Sequence, residues 1–322
     1  MESPCRDFTA YVAFTKKSFT TIIYTKITMY ESKSSKFMLA AAMAIFGTIG
    51  IFRKYIPLPS ALLAMVRGFT GALFLLLVVK IRGGRISWQA VRNNIFLLFV
   101  SGAVLGINWI LLFETYRFTS VATATLCYYM APVMVILVSP VLFAEKITAR
   151  KAVCILLAVA GMVMVSGVLT SGGRIQTKSI LYGLAAAVFY RLVMILNKGI
   201  HNISAYDKTI VQLATAAVVL LPYVLLTGQM SGLQLTAVSG AMLAVVGIVH
   251  TGVAYALYFG SMKDLKAQTV ALYSYIDPAL AVVLSAFVLH EAMTAVEIAG
   301  AVLVLGATMA SEITPKRKNR YF

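Results

Sequence analysis

The chain has 322 residues and a formal charge of +17, yet only 12% of its residues are charged and 60% are hydrophobic. Soluble domains run near half apolar and a quarter charged, so with a mean hydropathy of +0.88 a water-soluble globule is excluded. The Lys and Arg residues lie between apolar runs and form no single patch, which removes a nucleic-acid partner in spite of the charge.

The apolar runs have the length, roughly 18–23 residues, that a helix needs to cross about 30 Å of hydrocarbon. They do not alternate apolar with polar as barrel strands do. Backbone groups in lipid must be satisfied internally, so the runs are expected to be helices. Residues 1–36 are rich in Thr, Lys and Tyr and hold no apolar core long enough for a signal peptide. They are expected to be a disordered cytoplasmic tail, or an over-extended start with the initiator at Met29 or Met38.

Ten spans are expected, at about 37–56, 60–81, 95–115, 121–143, 152–170, 179–200, 206–226, 237–259, 268–289 and 294–311. A basic tail follows at 312–322. With the N-terminus inside, the inner loops hold Lys80, Arg82, Arg85, Arg92, Lys146, Arg150, Lys151, Lys198, Lys208, Lys263 and Lys266. The outer loops hold only Arg53, Lys54, Arg117, Arg174 and Lys178. Positive loops stay cytoplasmic, so both termini are expected in the cytoplasm of a multi-pass protein of the inner or plasma membrane. Cys5, Cys127 and Cys154 form no disulfide framework or metal motif, and no cofactor is expected.

A duplication runs through these spans. Pro132 and Pro278 stand 146 residues apart, as do Glu145 and Glu291, Thr148 and Thr294, Tyr129 and Tyr275, Ser139 and Ser285, Phe113 and Phe259, and Gly106 and Gly252. Spans 3–5 thus match spans 8–10 without a gap. Five spans is an odd number, so the second copy must be inverted. The charges agree: Glu145-Lys-Ile-Thr-Ala-Arg-Lys151 is basic, whereas its counterpart Glu291-Ala-Met-Thr-Ala-Val-Glu297 has no Lys or Arg. The expected fold is therefore all-α, ten transmembrane helices in a 5+5 inverted repeat, with copies at 37–170 and 179–311. Inverted repeats place a substrate site near mid-bilayer between the copies.

The two Pro-x12-Glu units, with Gly47-Thr-Ile-Gly50, Asn108-Trp-Ile-Leu-Leu-Phe-Glu114 and Tyr275-Ile-Asp-Pro278, make the chain resemble the drug/metabolite transporter superfamily, in particular its EamA-domain members. The resemblance covers about residues 37–311. It implies ten helices, cytoplasmic termini and transport of metabolites, often amino acids and often outward.

Candidate substrate-binding residues are the polar and aromatic groups deep in spans: Asn108, Trp109, Tyr129, Arg191, His250, Tyr255, Tyr275 and Asp277. A charge at mid-membrane costs roughly 2.5–3.5 kcal/mol and is by default functional. Asp277 precedes Pro278, which has no N–H to give, so the Ser274 carbonyl is expected to lack its helical partner. A free carbonyl beside a carboxylate suits a substrate amine or a coupling proton. The counterpart of Asp277 in the first copy is Ala131, so the carboxylate is not required by the shared fold. Pro132, Pro278, Glu145 and Glu291 are expected to be structural. Arg67 is expected to be structural too, its long side chain snorkelling toward the outer face.

These features favour a secondary transporter of a small polar solute, expected to export it, with protons as a possible coupling ion, rather than an enzyme. No Walker A motif is present for ATP hydrolysis, and no His or carboxylate cluster supports a membrane-embedded transferase. A lipid-carrier flippase using Arg67 and Arg191 on phosphate is the other reading that the sequence keeps.

Overall fold

The computed structural model describes residues 32–134, 136, 148–166, 177–230, 236–262 and 264–312. The tail up to residue 31, Glu145 with its loop, the 167–176 connection and the C-terminal tail lie outside the described residues. Every regular element among the described residues is helical. Among the described residues six apolar helices are long enough to cross a membrane: Lys33–Lys54, Ser60–Ile81, Ile95–Phe118, Thr177–Lys198, Ala205–Leu226 and Ala237–Met262. At 1.5 Å per residue, 22 residues span about 33 Å. Val121–Met134, Ile276–Phe287 and Ala295–Ser311 are shorter apolar helices.

In chain order, Lys33–Gly47 (α1) and Ile49–Lys54 (α2) are two halves of one bent rod. Ser60–Ile81 (α3), the short Trp88–Asn93 (α4) and Ile95–Phe118 (α5) follow. Then come Val121–Tyr128 (α6), Ala149–Val165 (α7), Thr177–Lys198 (α8) and Ala205–Leu226 (α9). Ala237–Gly247 (α10) runs through a π-helical turn, Ile248–Val253, into Ala254–Met262 (α11). Ala267–Tyr273 (α12), Ile276–Phe287 (α13) and Ala295–Glu312 (α14) complete the bundle. The first helix begins at Lys33, a few residues ahead of the sequence boundary, because Ser32 caps it through its side chain.

Hydroxyl caps start half of these helices. Ser87, Ser120, Thr148, Ser204 and Thr236 each accept a first-turn backbone N–H. The repeated pair Thr148 and Thr294 is explained this way. Thr148 caps α7. Thr294 accepts from Glu297 N while Glu297 Oε2 accepts from Thr294 N at 2.7 Å, a reciprocal capping box.

Packing follows the duplication. α5 lies on α8, and α11 lies on α1; α6 meets α8, and α13 meets α1; α3 pairs with α9, and α7 with α14. Exchanging the two copies maps this set of contacts onto itself. Leu63, Leu75, Phe113 and Leu213 fill one core among α3, α5 and α9. Leu126, Val165 and Val304 fill a second among α6, α7 and α14. At the α7–α14 crossing, a Cβ on Gly161 would lie 2.7 Å from the Gly300 carbonyl, and one on Gly300 would lie 2.7 Å from the Gly161 carbonyl. Only glycine allows backbones so close. The outward faces are apolar, with Phe69, Leu73 and Leu77 exposed on α3 and Val218, Leu221 and Leu225 exposed on α9.

Contacts between loops sort the helix ends. Ser35 donates to Asp264, Asn94 to the His201 carbonyl and Arg150 to the Ala310 carbonyl, so these segments share one end of the bundle. Lys54 donates to the Thr119 carbonyl and pairs with Glu291, so those segments share the opposite end. The first and last described helices thus have their chain-terminal ends on the same side.

Candidate functional site

Two helix breaks face one another in the middle of the bundle. α6 stops at Tyr128 and the chain turns at Tyr129. α12 stops at Tyr273 and α13 starts at Ile276. The breaks occupy equivalent positions of the two copies, and the Tyr129 and Tyr275 rings pack with centroids 6.1 Å apart. The sequence expectation of a Pro kink inside one continuous span is corrected here. Pro278 sits in the first turn of a new helix, where its missing N–H costs nothing.

The break brings several polar groups together. Asp277 lies in the first turn of α13, at the positive end of that helix's dipole. The Tyr129 hydroxyl donates toward Asp277 Oδ2 at 2.8 Å and lies 3.2 Å from the Ser274 carbonyl. The carbonyl left over by Pro278 is therefore covered by a tyrosine instead of standing open to a ligand. α1 approaches so closely that a Cβ on Gly47 would sit 2.7 Å from the Asp277 carbonyl oxygen.

Arg67 is on the other wall. It is buried, not turned out to the surface as a snorkelling residue would be. Its Nε donates to Thr251 Oγ1 at 2.8 Å, and its guanidinium carbon lies 4.1 Å from the centre of the Trp109 ring. A stacked, planar guanidinium keeps its edge free for a carboxylate. Thr251 belongs to the π-helical turn and donates to the Val246 carbonyl five residues back, so the irregular turn aims it. No ion pair within 4.0 Å joins Arg67 to Asp277.

Arg67, Trp109, Tyr129, Tyr255 and Asp277 line one cavity of about 130 Å³, with Phe46, Ile49, Leu112, Tyr116, Thr125, Tyr128 and Tyr190. A second cavity of about 410 Å³ shares Tyr128, Tyr129 and Tyr190 and adds Arg191, Pro132, Met194, Tyr258, Met262 and Tyr275. It runs toward the bundle end that holds 198–204 and 264–266. Of the sequence candidates, Asn108 and His250 line neither cavity. Asn108 is fully buried, donating to the Ala186 carbonyl at 2.6 Å and accepting from Tyr128, so it bolts α5 to α8. His250 sits 2.8 Å from Thr48 Oγ1 at the bend between α1 and α2, with its ring edge on Phe52. Both side chains join helices to one another. Sequence reasoning missed Tyr116, Tyr128 and Tyr190; the signal was the Tyr128–Tyr129 pair and the Tyr190–Arg191 pair deep in apolar runs.

At the opposite end one carboxylate joins the two copies. Glu291 accepts from Val121 N at 2.8 Å, accepts from Ser285 Oγ, and pairs with Lys54 at 3.0 Å. One carboxylate from the second copy thereby caps the α6 helix of the first.

A bundle of lipid-length helices, apolar outside and built around a polar central cavity between two broken helices, is a multi-pass membrane protein with the architecture of a transporter. The EamA-like transporter family model matches the chain twice, over residues 33–167 and 177–311, and the chain belongs to that family. It is 30% identical over 260 residues to the uncharacterized transporter YxxF of Bacillus subtilis (strain 168), covering 80% of this chain and 83% of that one. It is 29% identical over 192 residues to an uncharacterized transporter of Archaeoglobus fulgidus, covering 59% and 67% of the two chains. Its fold is similar to that of a protein of known crystal structure, with a TM-score of 0.59 at 19% identity, covering 87% of this chain and 98% of the other.

Proposed function

We propose that the protein is a secondary transporter that moves a small zwitterionic metabolite, an amino acid or a close relative, by alternating access in a ten-helix, 5+5 inverted bundle. The observation that carries this reading is a charge of each sign on one cavity with no ion pair between them: Arg67 stacked on Trp109, and Asp277 held at a helix start by Tyr129. An α-carboxylate suits the guanidinium edge. An ammonium suits the carboxylate.

The symmetric packing of the copies and the shared side of both chain ends support the inverted ten-helix arrangement. The end with Lys33, Lys80, Arg82, Arg85, Arg92 and Arg150 is far more basic than the end with Arg53, Lys54 and Arg117. By the positive-inside rule it is the cytoplasmic end. The wide cavity opens toward it, and the Glu291 cluster closes the other, so this is an inward-facing state. Export then begins with loading from the cytoplasm, and Asp277 is the group through which a proton couples.

The flippase reading needs Arg67 and Arg191 on one phosphate. Arg67 lines one cavity and Arg191 the other, which favours the small solute. The test is reconstitution in proteoliposomes with radiolabelled amino acids, alongside scrambling of labelled lipid. Saturable counterflow of an amino acid is the expected result. Lipid scrambling without counterflow would overturn the assignment.

A further inference from the structure

Four cations, Lys80, Arg82, Arg85 and Arg92, follow one another between α3 and α5, and no carboxylate occurs from Lys80 to Phe113. Membrane orientation asks only that such charges exist. The structure does more with three of them. A depression of about 250 Å³ lies between the end of α3 and the start of α9, bounded by Val79, Arg82, Gly84, Arg85, Tyr206 and Asp207. A neighbouring one of about 350 Å³ is bounded by Leu76, Leu77, Val79, Lys80, Gly84 and Ile86. They share Val79 and Gly84, so they form one groove, basic in one half and apolar in the other.

The backbone shapes this groove. Gly83 takes φ +70, a conformation that glycine adopts without strain. Gly83 N bonds the Lys80 carbonyl at 3.0 Å and Gly84 N bonds the Val79 carbonyl at 2.9 Å, so these closing carbonyls of α3 are occupied. The single carboxylate in the wall, Asp207, is buried and accepts from Ser87 N at 3.3 Å. Lys80 and Arg85 form no ion pair within 4.0 Å among the described residues. Among the described residues Arg82 meets Tyr206, donating to its hydroxyl at 3.4 Å with the guanidinium carbon 6.0 Å from the ring centre. The apolar half continues down the lipid-facing side of α3, where Leu77 is 53% exposed.

We infer that this groove binds one anionic phospholipid, its phosphate between Arg82 and Arg85 with Lys80 at the edge, and an acyl chain along Leu76, Leu77 and Val79. Guanidinium groups bind phosphate through paired hydrogen bonds, and basic pockets beside membrane helices take anionic headgroups. Charge complementarity selects the headgroup, and the apolar half selects a lipid over free phosphate. The site is separate from the transport cavity and rests only on the chain being embedded in a bilayer.

Native mass spectrometry of the detergent-purified protein, titrated with phosphatidylglycerol or phosphatidylcholine, tests it. The wild type should retain phosphatidylglycerol about tenfold more tightly than phosphatidylcholine, and millimolar inorganic phosphate should not displace it. The Arg82→Gln/Arg85→Gln double variant should lose that preference, whereas Arg92→Gln, a cation of the same segment outside both depressions, should keep it. Melting temperatures in lipid-free detergent establish that each variant is folded. Equal retention of the two lipids, displacement by phosphate, or an equal loss in Arg92→Gln would overturn the proposal, the last because net charge alone would then explain the preference.

Discussion

The Tyr129 hydroxyl, at the helix break of the first copy, lies 2.8 Å from Asp277 Oδ2, beyond the break of the second copy. The one hydrogen bond joins the two halves of the duplication at the cavity wall. It also covers the Ser274 carbonyl, 3.2 Å away. Tyr129→Phe removes one hydroxyl and nothing else. Interhelical hydrogen bonds in membranes average only about 0.6 kcal/mol, so the melting temperature should move little. Transport should fall about tenfold, the size of effect expected when a site carboxylate loses its orienting partner. Thermal unfolding and counterflow on the same preparation check both parts.

Asp277→Asn keeps the shape and removes the charge. If Asp277 carries the coupling proton, the variant should lose proton-driven accumulation yet retain solute exchange, because exchange needs the site but no net proton movement. Expression and detergent stability should stay near wild type, since Asp277 makes no ion pair whose loss would strand a cation. A folded variant with unaltered pH-dependent uptake would remove Asp277 from the mechanism.

The duplication and the six lipid-length helices were readable because polar and proline residues recur at one fixed spacing through apolar runs. Asp277 stood out because a carboxylate has few reasons to lie deep in lipid. The sequence could not separate Trp109, which faces the cavity, from its neighbour Asn108, which faces α8. One helical step of 100° decides between them, and a uniformly apolar α5 offers no stripe from which to read the phase. The buried position of Arg67 was not legible for a related reason. Its depth in the span allowed either snorkelling or burial, and the partner that settles it, Thr251, is aimed by a π-helical turn with no sequence signature.

Asn108→Ala should separate holding from binding. The fully buried amide links α5 to α8 through the Ala186 carbonyl. Its loss leaves that helical carbonyl and the Tyr128 hydroxyl with one partner fewer, and should lower stability by about 0.5–1.5 kcal/mol. The KM for the transported solute should change less than about twofold, because uniform binding is lost only when a contacting group is removed. A large rise in KM at unchanged stability would return Asn108 to the binding site.

Glu291→Gln tests the closed end. The carboxylate caps α6 at Val121 N and holds Lys54. Its three partners, Val121 N, Ser285 Oγ and Lys54, remain after the substitution, but the ion pair and the charge at the helix start are gone. Stability should fall by about 1 kcal/mol, the usual scale of a lost cap. The closed end should open more often, so a cysteine placed at Thr125 should react faster with an impermeant thiol reagent applied from that side. Unchanged labelling would show that Glu291 is a cap and not part of a closure.

Arg67 gives the sharpest division between a structural and a binding role. Arg67→Lys keeps the charge but loses the planar fork and the stacking on Trp109. The α-carboxylate should then bind less well, and the KM should rise about tenfold with the maximal rate little changed, as loss of uniform binding requires. Arg67→Met removes the charge at similar volume. Replacing a buried cation by a well-packed apolar residue is often neutral or stabilising, so this variant should fold at least as well as the wild type and transport nothing. Thr251→Val removes the acceptor of Arg67 Nε, together with the hydroxyl's own bond to the Val246 carbonyl. It should shift the KM in the same direction by a smaller factor. Were Arg67 structural, the order would reverse: Arg67→Met would either be poorly folded or transport normally, and Arg67→Lys would track the wild type in KM. Measuring KM, maximal rate and melting temperature for the three variants side by side distinguishes the two orders.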